Sequence, residues 1–356
     1  MYRPLAPGRS SGTLACVDLT ARVFTVELAE PFVISRSTTD KEDIVQVAIT
    51  HAGVTGYGEG APDERYGESC DSAMAFFERA APLLGNDPFA LEAIFARLGE
   101  LPGQMAATCA VDGALHDLVG KLCNQPLWRL FGLDPAPPPT SYTISIDTIE
   151  GTADRARRAA HFHALKIKVG GPGDLDRVRA VREQAPDALI RVDANEAWTV
   201  DVTREISPEL ARLGVELIEQ PLHADQVDGY RELHAPGLPI PIVLDESVHT
   251  LPDVGRAGGL ADGINIKLTK SGGIREAHRM IHAARALGLK VMLGCMNESS
   301  LGIAAAVQLS PLVDVVDLDG HLLNANDAFT GLGFVEGAVV PSDLPGLGVT
   351  PLDRWP

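Results

Sequence analysis

Three carboxylates recur at one interval. Glu219 follows Asp193 by 26 residues, and Asp245 follows Glu219 by another 26. Each closes a short apolar run, in LIRVD, VELIE and PIVLD. The interval fits one strand–helix unit, so the acids would stand at equivalent ends of consecutive strands. Carboxylates brought together repel each other unless a cation holds them. Oxygen ligands without thiolates or a clear histidine set point to a hard ion. Mg2+ is the usual choice where substrate oxygen and water complete an octahedron, one ion per site on Asp193, Glu219 and Asp245. Any one of these acids could instead cap a helix or pair with a surface lysine; three at matched strand ends argue for a site.

The stretch ALKIKVGG, residues 164–171, puts Lys166 and Lys168 on one face of a strand, because side chains two apart point the same way. Taken alone, it reads as a half-exposed strand with a solvated lysine face. GINIKL ends in the same manner at Lys267. Taking an α-proton next to a carboxylate creates a dianionic enolate, which a metal ion stabilises. A lysine serves as that base only if its pKa falls well below ~10.4. Lys166, a like charge two residues away, would push Lys168 in that direction. Two such bases on opposite faces would permit removal from one side and return from the other, which is racemisation or epimerisation.

The elements that must position these residues change character along the chain. ACVDLTARVFTVELAEPFVI and DIVQVAITHAGVTGYGEG alternate like strands, broken by an expected polar loop, SRSTTDKED. Helical patterns follow in DSAMAFFERAAPLL and TCAVDGALHDLVGKLCNQPLWRLFG. LDPAPPPTS, residues 133–141, holds three consecutive prolines and reads as a domain boundary. Beyond it, strands YTISID, ALKIKVG, LIRVDAN, VELIEQPL, PIVLDES, GINIKL, KVMLGCM and VDVVDLDG alternate with helices. Eight such units suit a closed α/β barrel, whose functional residues sit at the strand C-termini. No GxGxxG follows the first strand, which argues against a doubly wound sheet. The barrel places Lys168 on strand two and Lys267 on strand six, across from one another. The turn-rich FTGLGFVEGAVVPSDLPGLGV is expected to return to the first domain. The expected division is 1–134, 135–324 and 325–356.

With 48 acids against 30 lysines and arginines, the chain carries a net charge of −18. Such a surface repels phosphate backbones and anionic lipid, so nucleic acid and membranes are excluded as expected partners. The cysteines Cys16, Cys70, Cys109, Cys123 and Cys295 are scattered and form no CxxC, which speaks against disulfides and zinc. MYRPLAPGRSSG has no apolar leader core, and a reduced cytoplasm is the default expectation. The histidines, His116, His161, His163, His234 and His321 among them, are assigned to structure or surface, with no HxxxH or HExxH chelate expected.

KIK (166–168), DAN (193–195), EQP (219–221), DES (245–247) and NIK (265–267), in this order and spacing, resemble the enolase superfamily and its muconate-lactonizing-enzyme subgroup. The likeness runs through AVDGALHDLVGKLCNQPLWRLFG to the closing LPGLGV. It implies a modified (β/α)8 TIM-type barrel, (β/α)7β, with an N-terminal α+β capping domain completed by the C-terminal segment. It also implies Lys168 and Lys267 as the acid/base pair, Lys166 beside them, and Asn195 and Glu246 as supports of the metal ligands. DLD, with Asp317 and Asp319, resembles the dipeptide epimerase signature. Two carboxylates on one strand face make a receptor for a free amino terminus. Arg36 stands where the L-Ala-D/L-Glu epimerases carry an arginine for the glutamyl carboxylate. The same stretch offers Asp40, Lys41, Glu42 and Asp43, whose acids would suit a cationic dipeptide instead. CMNESS puts Cys295, Met296, Asn297 and Glu298 at the rim, with Met296 and Glu298 expected as substrate contacts. The implied activity is Mg2+-dependent dipeptide epimerisation in a homo-oligomer, L-Ala-D/L-Glu being the favoured substrate in murein peptide recycling. Alternatives are N-acylamino acid racemase, o-succinylbenzoate synthase or cycloisomerase activity, or a non-catalytic binding barrel.

Overall fold

The computed structural model describes residues 17–235, 237–353 and 355; Cys16 and the leader region considered above lie outside them. The chain starts with an antiparallel sheet of β1 (Asp18–Ile34), β2 (Ser37–His51) and β3 (Val54–Gly60). β1 and β2 pair from Asp18↔Thr50 to Ile34↔Ser37, with a register shift between Glu27 and Phe32. SRSTTDKED is therefore strand for most of its length, and only Ser35 and Arg36 form the turn. Polarity there marks an exposed hairpin end, and β-branched Thr38 and Thr39 suit extended backbone.

Helices α1 (Cys70–Ala80), α2 (Leu91–Leu98) and α3 (Met105–Leu122) follow. A capping box between Ser69 and Ser72 starts α1. The alternating glycines of β3 seat α3 directly on the sheet. A Cβ on Gly56, Gly58 or Gly60 would fall 2.2, 2.0 or 2.0 Å from the carbonyl oxygens of Ala114, Ala110 and Ala106. The match is geometric: two strand residues advance about 6.6 Å and four helical residues about 6 Å.

The barrel strands are β4 (Ser141–Ile144), β5 (Ala164–Lys168), β6 (Leu189–Asp193), β7 (Val215–Glu219), β8 (Ile242–Leu244), β9 (Gly263–Lys267), β10 (Lys290–Gly294) and β11 (Val315–Asp317). They are parallel and adjacent in chain order, and a bridge between Thr140 and Val316 joins the last to the first. Main helices 149–159, 174–184, 200–212, 227–234, 251–257, 274–286 and 300–307 fill the intervals, whereas β11 runs into a single 3-10 turn at Gly320–Leu322. This is (β/α)7β.

Alternation along each strand sorts the side chains. Leu165, Ile167, Ile190, Val192 and Ile218 face the outer helices. Leu217, Val243, Met292 and Val315 form a separate apolar plug. Two residues further along β7 and β11, the same inward register brings Glu219 and Asp317 above that plug. The C-terminal stretch reaches back to the start of the chain: Leu347 N donates to Asp117 Oδ1 at 2.8 Å, and the Trp355 and Tyr57 rings lie 5.3 Å apart.

Candidate active site

A cavity of about 700 Å3 opens where the β1–β2 hairpin overhangs the strand ends. Lys166, Lys168, Asn195, Asp245, Glu246, Lys267, Cys295, Met296, Asp317 and Asp319 line it from the barrel, and Phe32, Arg36 and Tyr66 from the hairpin side. Asp193 and Glu219 lie fully buried beneath. The lysine face of β5 is thus not solvated: Lys166 is 2% and Lys168 7% exposed. β5 and β9 are four places apart in the eight-strand order, so Lys168 and Lys267 enter from opposite sides.

Each metal-candidate acid meets a lysine. Lys168 Nζ donates to Asp193 Oδ2 at 2.7 Å. Lys166 Nζ stands 2.7 Å from Glu219 Oε2, 2.8 Å from Asp317 Oδ2 and 3.1 Å from Asp193 Oδ2. Asp245 receives Lys267 at 2.8 Å and also Lys270. Burial would raise Asp193 and Asp245, but the lysines outweigh it and hold both below the ordinary carboxylate range. Glu219 goes the other way: burial and the Asp193 charge push it up to about 8. Burial lowers Lys166 and Lys267, but Asp317 with Glu219, and Asp245, raise them above the ordinary lysine value. Lys166 is therefore not the free like charge that its spacing suggests, because three carboxylates share it.

The donor set fits a hard divalent cation. Its atoms are oxygens, and Glu219 Oε2 is buried facing an ammonium without an aligned hydrogen bond. Among the described residues, no three acids, histidines or cysteines are already arranged to hold a metal ion; the Lys166 ammonium stands among Asp193, Glu219 and Asp317.

Supporting contacts complete the strand ends. Asn195 N donates to Asp193 Oδ1 at 2.9 Å, and its amide to Glu246 Oε1 at 3.2 Å. Asn265, inside the NIK motif, donates to Glu219 Oε1 at 2.8 Å. Gln220 sits at φ 36, outside the usual range for its type, and its Oε1 accepts the Asp245 N–H at 2.7 Å. The fully buried Lys270 also donates to the Val248 carbonyl at 3.1 Å. Sequence reasoning assigned no role to Asn265, Gln220 or Lys270; the first two lay within the quoted motifs NIK and EQP, and Lys270 stands three residues beyond NIK.

Asp317 and Asp319 reach the cavity together. Asp319 Oδ2 accepts the Thr143 N–H at 2.6 Å, and burial with the Asp317 charge pushes Asp319 up to about 6. Asp317 Oδ1 is buried without a partner. Arg36 folds back, Nη1 lying 3.0 Å from Glu246 Oε1 and 3.2 Å from the Asn195 carbonyl. Met296 lines the cavity, its sulfur 3.9 Å from Lys267 Nζ. Glu298 does not: its carboxylate accepts the Met296 N–H and turns toward Glu59 of β3, which corrects the expected substrate contact. Cys295 lines the cavity wall, where burial and the Asp319 charge raise its thiol well above the ordinary value. The histidine expectation also needs correction. His278 and His282 form an HxxxH pair on one helix face, their Nε2 atoms 3.3 Å apart.

Two family models cover most of the chain. "Mandelate racemase / muconate lactonizing enzyme, N-terminal domain" matches residues 18–132, and "Enolase C-terminal domain-like" matches residues 149–355. The chain belongs to this family of the enolase superfamily. Within it, the chain is 42% identical over 319 residues to an L-Ala-D/L-Glu epimerase of Bacteroides thetaiotaomicron, spanning 88% of this chain and 82% of that one. It is 38% identical to an L-Ala-D/L-amino acid epimerase of Maribacter sp., over 94% of this chain and 99% of that one. A substrate-liganded L-Ala-D/L-Glu epimerase from Bacillus subtilis superposes with a TM-score of 0.89 at 31% identity, over 94% and 98% of the two chains. A dipeptide epimerase from Enterococcus faecalis, complexed with Mg and L-Leu-L-Tyr, also scores 0.89 at 31% identity, over 94% and 99%. No helix among the described residues of this family member is long and apolar enough to cross a membrane.

Proposed function

We propose that this protein is a Mg2+-dependent dipeptide epimerase that inverts the α-carbon of the C-terminal residue. The observation that carries the reading is the pair Lys168 and Lys267, entering one cavity from opposite sides with the carboxylates between them. Its relatives in the family carry dipeptide epimerase names.

Asp193, Glu219 and Asp245 would hold the ion, with Asn195, Glu246 and Asn265 fixing their orientation. Bound there, Mg2+ supplies charge neutralisation for the dianionic enolate. The raised value of Lys267 comes from the free Asp245 charge, which would be shared with the ion once Asp245 serves as a ligand; one lysine then takes the α-proton from its side and the other returns a proton from the opposite side. Lys166 stays protonated and links the ligand acids to Asp317. Asp317 and Asp319 receive the α-ammonium, two carboxylates for one cation. Arg36 recognises a glutamyl carboxylate by exchanging it for Glu246, and L-Ala-D/L-Glu is the substrate favoured on that ground. We further infer the division 1–134, 135–324 and 325–356, a homo-oligomer, and a cytoplasmic role in cell-wall peptide metabolism, with a small dipeptide and neither nucleic acid nor membrane as partner.

The test is incubation with pooled L,L-dipeptides in D2O with Mg2+, reading one deuterium at the α-carbon. Exchange confined to X-Glu supports the whole reading. Exchange in other dipeptides keeps the mechanism and discards Arg36 as the selector. Absence of exchange in all of them sinks the epimerase.

A further inference from the structure

Beside the active-site cavity lies a second one of about 350 Å3. Leu28, Pro31, Tyr142, Phe162 and Leu322 bound it. The Tyr142 and Phe162 rings stack with centroids 4.5 Å apart, giving it a flat apolar side. Arg155 and Arg158 stand at its edge, both paired with Glu30 and Arg155 also with Asp147, so its charged groups are already paired.

The two cavities share Phe32, Thr143 and Leu323. That shared wall adjoins the reacting groups. Lys168 Nζ lies 5.7 Å from the centroid of the Phe32 ring. The Thr143 N–H is bound at 2.6 Å to Asp319, one of the two carboxylates assigned to the α-ammonium. An amino acid's side chain leaves from the carbon that bears its ammonium. The side chain of a dipeptide's first residue therefore emerges beside Thr143, against Phe32 and Leu323. Both of those side chains are only partly buried, and behind them lies apolar space.

We propose that this second cavity is the subsite for the side chain of the N-terminal residue, and that it takes branched aliphatic and aromatic side chains as well as alanine. The inference rests on the dipeptide-epimerase reading and names the substrate class of that site on its N-terminal side. A larger side chain displaces the Phe32–Leu323 wall and buries its surface against Tyr142 and Phe162, which favours binding in proportion to the apolar area removed from water.

The test compares α-deuterium exchange of L-Ala-, L-Leu- and L-Phe- dipeptides that share the best C-terminal residue, in wild type, Leu322→Trp and Phe32→Ala. The expected result is kcat/KM for L-Leu and L-Phe within about tenfold of L-Ala in wild type, the scale set by hydrophobic-pocket discrimination. Leu322→Trp fills the cavity and should lower the L-Phe to L-Ala ratio by about tenfold or more, whereas Phe32→Ala opens the wall and should raise it. Exchange of L-Ala dipeptides alone, with a ratio that neither variant moves, overturns the subsite and leaves the epimerase standing. No exchange with any dipeptide overturns both.

Discussion

The Lys166 ammonium stands 2.7 Å from the Glu219 carboxylate, and the same nitrogen reaches Asp193 and Asp317. One buried cation thus compensates Glu219 and Asp193, the proposed ion ligands, together with Asp317. Removing one partner from a buried ion pair costs about 3–5 kcal/mol, because the remaining charge is left unpaired. Lys166→Met should therefore melt well below wild type in EDTA. Mg2+ should restore more stability to the variant than to wild type, since the ion replaces the missing charge. For scale, a ligand at a hundred times its Kd adds about 2.7 kcal/mol. Melting curves with and without Mg2+ test this; equal Mg2+ shifts in the two proteins would refute the compensating role.

Lys168 and Lys267 make different contacts, with Asp193 and Asp245 respectively, yet the two-base scheme needs both. Lys168→Ala and Lys267→Ala should each lower epimerisation by about 100-fold or more, the usual loss for a proton-transfer group. Deuterium incorporation started separately from the L,L and L,D dipeptides measures it. Substantial turnover by either variant would sink the scheme.

The acid and lysine positions were legible because strand alternation fixes which side chains point inward, and the 26-residue interval fixes which strands carry them. Lys270 was not legible, since its contact with Asp245 depends on the short helix Leu268–Ser271, directly after β9, bringing its side chain to the Asp245 and Val248 carbonyls. Gln220 was hidden by its left-handed backbone, a conformation that sequence does not announce for glutamine. The hairpin at Arg36 was misread because polarity reports exposure, whereas strand length is set by cross-strand pairing. Glu298 faces away because residues 295–299 follow no strand register.

Asp319 tests the ammonium assignment. Its carboxylate is 3% exposed and held by Thr143, so the Asp319→Asn side chain fits the same space. Losing a charged partner of a buried ammonium costs about 1.5–3 kcal/mol, or roughly 10- to 150-fold in kcat/KM. The loss should fall on dipeptides with a free amine. An equal loss on N-acetylated analogues would remove Asp319 from amine recognition.

Gly58 tests the seating of α3. An added methyl would meet the Ala110 carbonyl oxygen at 2.0 Å and Ala114 N at 2.4 Å, both rigid helix backbone. Gly58→Ala should destabilise by about 2–4 kcal/mol, the upper part of the range for overpacking. Gly53→Ala is a useful contrast, because its added Cβ meets nothing within 4 Å and its cost comes only from φ 80. Urea midpoints report both; a smaller loss at Gly58 than at Gly53 would contradict the close approach.

Glu59 ties β3 to the barrel: it accepts Gln46 Nε2 at 2.8 Å and the Ser299 N–H at 2.8 Å, and also binds the Ser299 hydroxyl. Burial still dominates and pushes it up from 4.5 to about 7. The folded protein then holds this proton up to about 7, the unfolded chain only to 4.5. Between those values the folded state binds more protons, so stability falls as pH rises. The contribution is complete below 4.5 and lost above about 7. Glu298, raised to about 8 by burial, extends the same trend upward. The urea midpoint of wild type should therefore drop between pH 5 and pH 8, and Glu59→Gln should reduce that drop. An unchanged difference between the two pH values in the variant would show that the Glu59 proton does not contribute to the interdomain contact.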